Sequence, residues 1–198
     1  FWKLAVTSTQ ENADVIKIVK DMPTDTVLVF CGWSWMVPKE IYTKYLCLAV
    51  HPSPLPKFRG GSPLQHQIME GWRTSAVTVF RMTNKLDAGE IYARTPFSLE
   101  GNMLQIFGEI ADAGSVALIT VLEQIALNRI KPVAQDEEEA TTYLRRTPEE
   151  SEITIEDLKT MKASQLYNFI RALADPYPNA FIKCKDGKKL YITGAKID

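Results

Sequence analysis

His51, one of only two histidines in the chain, follows an apolar run directly and opens a stiff loop, His51-Pro52-Ser53-Pro54-Leu55-Pro56-Lys57-Phe58-Arg59-Gly60-Gly61-Ser62-Pro63. A lone carboxylate, Asp87, follows in a second tight turn, Leu86-Asp87-Ala88-Gly89-Glu90-Ile91. Open α/β sheets present reactive groups beyond the C-terminal ends of their strands. An imidazole titrates near neutrality, and a neighbouring carboxylate tunes it, so the pair is a minimal kit for moving protons. Each residue also has an ordinary reading alone. A strand-end histidine can rest on a backbone carbonyl, and Asp-Ala-Gly is common turn chemistry. His66 sits in a polar-faced helical stretch and reads as a surface or partner contact.

The flanking segments predict the elements that position this pair. Leu4-Ala5-Val6 reads as a short strand and Glu11 to Lys20 as an amphipathic helix. Thr26 to Cys31 and Tyr45 to Val50 read as parallel strands buried on both faces. Pro38 opens a helical turn through Tyr42. Ser62-Pro63 predicts a helix entry with serine as cap, and Gly71 its stop. Ala76 to Met82 and Ile91 to Phe97 are two further strands. Asn102 to Asn128 is a long helix that packs on the sheet. Residues 131–150 carry the run Asp136-Glu137-Glu138-Glu139 and read as a solvated connection. From Ser151 a smaller unit follows. It holds helices at Thr154 to Leu158 and Ala163 to Ala174, then a hairpin around Lys185-Asp186-Gly187-Lys188. The class is α/β with a 1–150 main domain and a 151–198 helix-plus-hairpin extension.

Composition narrows the function. A net charge of −1 across 198 residues offers no strong field for nucleic acid or an anionic membrane. No apolar run reads as long enough to span a bilayer, so no membrane is expected. Three widely spaced cysteines give neither a disulfide framework nor a metal-ligand spacing, which suits a cytoplasmic location and no metal.

The loop HPSPLPKFRGGSP and the turn LDAGEI together resemble the formyltransferase family that uses 10-formyltetrahydrofolate. The family includes enzymes acting on methionyl-tRNA, on glycinamide ribonucleotide and on nucleotide-linked amino sugars. The tail Arg171-Ala172-Leu173-Ala174-Asp175-Pro176-Tyr177-Pro178-Asn179-Ala180-Phe181 resembles chiefly the sugar-modifying branch. The likeness covers roughly residues 26–183. It implies a Rossmann-like, mostly parallel sheet flanked by helices, whose first strand and helix would be missing before Phe1. It also implies His51 and Asp87 as catalytic residues and Ser53, Pro54, Leu55 and Pro56 as the folate-lining segment. Arg59, Gly60 and Gly61 would meet an acceptor phosphate.

One position departs from the resemblance. The family's Asn-x-His pattern reads Ala49-Val50-His51 here. That asparagine donates to the developing oxyanion, and losing one such donor costs about 10²–10³ in rate. Three consequences stay open: protonated His51 or a backbone N–H takes over, the chain is a substituted catalyst, or it binds without turnover. Trp33, Trp35 and Met36 read first as packing residues and second as a ligand platform.

The resemblance implies a small-molecule amine acceptor, with the nucleotide-linked amino sugar as first expectation and methionyl-tRNA as alternative. Residues 151–198 hold eight Lys/Arg against six Asp/Glu, a small footprint for nucleic acid. A homodimer is compatible with these readings.

Overall fold

The computed structural model describes residues 5–9 and 11–198. In chain order its elements are α1 (Asn12–Val19), β1 (Val27–Cys31), α2 (Lys39–Tyr42), β2 (Leu46–His51), β3 (Arg59–Gly60) and α3 (Pro63–Met69). Then come β4 (Thr74–Arg81), β5 (Ile91–Ser98), α4 (Met103–Ala126) and β6 (Thr142–Tyr143). The tail holds α5 (Ile155–Thr160), α6 (Ala163–Ala172), β7 (Ala180–Lys183) and β8 (Lys189–Ile192). Of the strand predicted at 4–6, Leu4 lies outside the described residues. Ala5 and Val6 adopt no regular structure, and Val6 has no neighbour to bury it.

The central sheet runs β1-β2-β4-β5. The parallel expectation holds at β1–β2, the pair leading into the His51 loop; β5 shares their direction, and β4 alone runs antiparallel to both its neighbours, β2 and β5. Helices flank this sheet in a Rossmann-like arrangement. The two-residue period of β2 sorts its side chains. Leu48, with half-buried Leu46 and Val50, packs with Val79, Ala117 and Val121 on the α4 side. Ala49 joins Leu55, Phe80 and Ile91, while Cys47 packs with Val37, Ile41 and Tyr45. His51, two residues after Ala49, therefore emerges on the face away from α4. Burial on both faces does not extend to β1. It is an edge strand among the described residues, half-buried up to an exposed Cys31.

A reciprocal capping box starts α4, with Gln105 N–H donating to Asn102 Oδ1 at 3.0 Å and Asn102 N–H to Gln105 Oε1 at 2.9 Å. By length and composition α4 is a helix that can cross a membrane, contrary to the sequence expectation that no run reaches that length. Part of its apolar content has a partner in the sheet, while Leu104, Val116 and Ile119 stay exposed. Ile106, Ala113, Ala117 and Val121 are buried, and Glu109, Asp112 and Glu123 lie on the exposed side.

The tail shares this core. Ala172 of α6 packs with Leu64 and Ile68 of α3. Arg171 donates to the Leu99 carbonyl at 2.6 Å, and Ile153 N–H donates to the Phe181 carbonyl at 2.7 Å.

Candidate active site

Beyond His51 the chain folds back over the sheet face that Ala49 occupies. Leu55 is wholly buried in that face. Thr78 Oγ1 donates to the Ser53 carbonyl at 2.6 Å, Gln67 donates to the Pro52 carbonyl at 2.9 Å, and Arg94 reaches the Leu55 carbonyl. Ser53 Oγ is spent on the Lys57 carbonyl at 2.7 Å. Neither Ser53 nor Leu55 exposes surface to a ligand. Pro54 and Pro56 line a separate cavity with Trp72, Arg94 and Lys131. The folate-lining expectation for Ser53, Pro54, Leu55 and Pro56 thus does not match the His51 cavity. This segment closes the core beneath the loop.

His51 is fixed by the same fold-back. Its Nε2 lies 2.8 Å from the Phe58 carbonyl, which can only accept, so Nε2 carries the proton. The neutral ring then has its lone pair on Nδ1, which faces Asp87 Oδ2 at 3.8 Å. Burial lowers the His51 pKa, and the Asp87 charge and the Phe58 hydrogen bond offset only part of this. The imidazole is therefore neutral at pH 7 and able to take a proton at Nδ1. Asp87 is held in the left-handed region at φ 48°, a conformation aspartate tolerates. Its Oδ2 accepts the Gly60 N–H at 2.8 Å.

The pair opens into a cavity of about 310 Å3. Ala49, Phe80 and Met82 form part of its wall, and Trp33, Trp35 and Met36 line one side. Trp35 and Met36 are exposed, which favours the ligand-platform reading over packing for those two. Lys85 and Arg145, both exposed, also line it, and among the described residues neither is in an ion pair. Two potential donors are already spent: Gly60 N–H on Asp87, and Gly61 N–H on the Tyr143 carbonyl at 2.9 Å. No group of three or more His, Cys, Asp or Glu that could hold a metal occurs among the described residues.

Of residues 131–150, predicted to be a solvated connection, the stretch 131–147 instead returns across the loop. β6 pairs with β3 in parallel, and Phe58 N–H donates to Thr141 Oγ1 at 2.8 Å. The Phe58 ring stacks on Tyr143 at 5.1 Å and meets Trp72 edge-on at 5.0 Å. His66 also joins this contact, its ring 4.5 Å from Tyr143.

Arg59 is drawn away from the cavity. Its guanidinium binds Gln135 Oε1 at 2.8 and 3.1 Å and both carboxylate oxygens of Glu137 at 2.9 Å. The expectation that Arg59 meets an acceptor phosphate fails for this reason, and Arg145 is the arginine that lines the cavity. Gly60 and Gly61 do line it, but their bare backbone serves the return segment. A Cβ on Gly60 would meet the Tyr143 carbonyl at 2.4 Å, and one on Gly61 the Arg145 backbone at 2.4 Å. Ser62 takes the N-cap position of α3 without a side-chain cap bond, because its hydroxyl accepts the Arg146 N–H at 3.1 Å. Gln135, Thr141 and Arg145 are the site residues that sequence reasoning misses.

The family model described as Formyl transferase matches residues 3–122. The methionyl-tRNA formyltransferase of Rickettsia africae is 33% identical over 183 residues, covering 90% of this chain and 58% of that protein. The chain thus spans less than two thirds of the curated relatives it matches. The structure of methionyl-tRNA formyltransferase from Clostridium thermocellum aligns with TM-score 0.70 and 30% identity, over 92% of this chain and 81% of that one. A sugar N-formyltransferase from a Shewanella species aligns with TM-score 0.74 over 94% of this chain and 75% of that one. Its 18% identity speaks to the fold alone.

Proposed function

This chain belongs to the formyl transferase family, and on that premise we propose that it moves a formyl group from 10-formyltetrahydrofolate to a primary amine held between His51 and Asp87. The observation that carries the reading is the free Nδ1 of His51, turned to Asp87 within the cavity while Nε2 is tied to the Phe58 carbonyl. The amine nitrogen attacks the formyl carbon, and a tetrahedral oxyanion forms. His51 Nδ1 takes the amine proton as general base. Asp87 stabilises the resulting imidazolium. The intermediate collapses with cleavage of the carbon–N10 bond, and the proton passes to N10, giving a formamide and tetrahydrofolate. Ala49 supplies no side-chain donor to the oxyanion, and the Gly60 and Gly61 N–H groups are engaged elsewhere. The imidazolium Nδ1–H fills that role once formed. Folate lies against Trp33, Trp35 and Met36, whose apolar faces suit a flat heterocycle.

The acceptor we favour is a nucleotide-linked amino sugar, whose phosphates suit Lys85 and Arg145 on the cavity wall. The tail sequence Asp175-Pro176-Tyr177-Pro178 supports the same branch. Methionyl-tRNA is the second reading, favoured by the identity to the Rickettsia enzyme. The test is tetrahydrofolate release when the protein meets 10-formyltetrahydrofolate with nucleotide-linked amino sugars or with methionyl-tRNA. Release only with methionyl-tRNA overturns the sugar reading. Folate binding without release in either mixture overturns catalysis and leaves a binding module.

A further inference from the structure

The return segment does more than cover the loop. Gln135 sits between Arg59 and the Asp87 turn with its whole amide engaged. Its Oε1 accepts twice from Arg59. Its Nε2 donates to the Asp87 carbonyl at 2.8 Å and to the Gly89 carbonyl at 2.8 Å. A primary amide has two donor hydrogens and two acceptor lone pairs, and all four are used. Bonds to carbonyls two residues apart pin the turn that presents Asp87 at φ 48°. The carboxylate of that turn reaches back to the Gly60 N–H, next to Arg59. Arg59, Gln135, Asp87 and Gly60 therefore form a closed ring of hydrogen bonds, and His51 faces the ring at Asp87.

We propose that Gln135 is a positioning residue for the proton-transfer pair: it holds the Asp87 carboxylate against His51 through the backbone of the Asp87 turn. It is not among the residues lining the His51 cavity, so its effect on the reaction passes through Asp87. The proposal rests on the formyl-transfer reading for its catalytic meaning, but the geometry it asserts is measurable without turnover.

The chain has two histidines, and a His66→Gln variant assigns the His51 signals in its nitrogen-15 NMR spectrum. The charged side chains sharing the cavity with His51 are Asp87, Lys85 and Arg145. Asp87→Asn sets the scale: removing the opposite charge lowers the His51 midpoint by about one unit. Gln135→Met, close in volume and without hydrogen bonds, is expected to recover at least half of that downward shift. A Gln135→Met protein that folds and keeps the wild-type His51 midpoint overturns the proposal, as does an Asp87→Asn protein with an unshifted midpoint. If Gln135→Met does not fold, Gln135→Asn, whose amide is one methylene short of the turn, is read against the same two criteria. Wild-type protein that titrates as expected but releases no tetrahydrofolate leaves this positioning role standing and removes the formyl-transfer reading alone.

Discussion

Asp87 accepts the Gly60 N–H at 2.8 Å, so the carboxylate facing His51 is held by the very loop His51 begins. The two groups of the proposed proton transfer are thereby built into one structural unit. Neither can move far without the other, which matters for a pair separated by 3.8 Å and not yet hydrogen-bonded.

His51→Ala is expected to reduce formyl transfer by about 10²–10⁴, the usual contribution of general acid–base catalysis, measured as tetrahydrofolate release. Retention of a tenth or more of wild-type turnover would remove His51 from the reaction.

The pH dependence follows from the same residue. Burial puts the folded pKa of His51 below its ordinary value of 6.5. The general base must be neutral, so kcat/KM stays on its plateau below pH 6.5 and falls only as pH drops through the lower folded value. Stability carries the same sign. Between the folded pKa and 6.5 the unfolded chain binds more protons at this site, so this contribution is complete above 6.5 and is lost as pH falls. Denaturant titrations of wild type and His51→Gln across that window check it: the variant should show the smaller loss on acidification.

Ala49→Asn adds a side-chain donor to the cavity wall. If the missing amide limits turnover, kcat rises by about 10²–10³ with little change in the KM for 10-formyltetrahydrofolate. An unchanged kcat would mean that the His51 imidazolium already meets the oxyanion's need.

Arg59 and Arg145 make opposite predictions. Arg145→Ala should raise the KM for a phosphate-bearing acceptor by about 10–100-fold, the worth of a charged hydrogen bond, more visibly at low salt. Arg59→Met should instead lower kcat and stability together, because its guanidinium ties Gln135 and Glu137 inside the protein. Reversal of the two phenotypes would restore Arg59 as the acceptor's partner.

Gly61→Ala tests the return segment directly. The added methyl would meet the Arg145 backbone at 2.4 Å, so the return segment must shift at Arg145. A loss of about 1–3 kcal/mol in denaturant unfolding is expected, as for overpacked sites.

Much of this fold is legible in sequence, for local reasons. The apolar runs at β1 and β2, the period of α4, and the stop at Gly71 depend on residues within a turn or two, and the structure keeps them within a few positions. His51 and Asp87 are legible because each sits in a compact motif. The roles of Arg59, Ser62 and the Gly60-Gly61 pair are not, because their partners lie in 131–147. An acidic, polar stretch looks solvated until its few buried contacts are known. Gln135 and Thr141 carry no local pattern, and their meaning comes only from what the chain brings to them.

That separation also orders events in time. Phe58 bonds Thr141 across 83 positions and Arg59 bonds Gln135 across 76, whereas β4 and β5 pair through a short connection. Closing so long a loop carries an entropic cost that the sheet does not share. The return segment is therefore expected to open more readily than the sheet. The amides of Phe58, Arg59 and Gly61, all bonded to Thr141 or Tyr143, should exchange with solvent as one cooperative unit ahead of the strands. On the proposed function, competence would depend on a distant stretch of chain that arrives across some eighty positions.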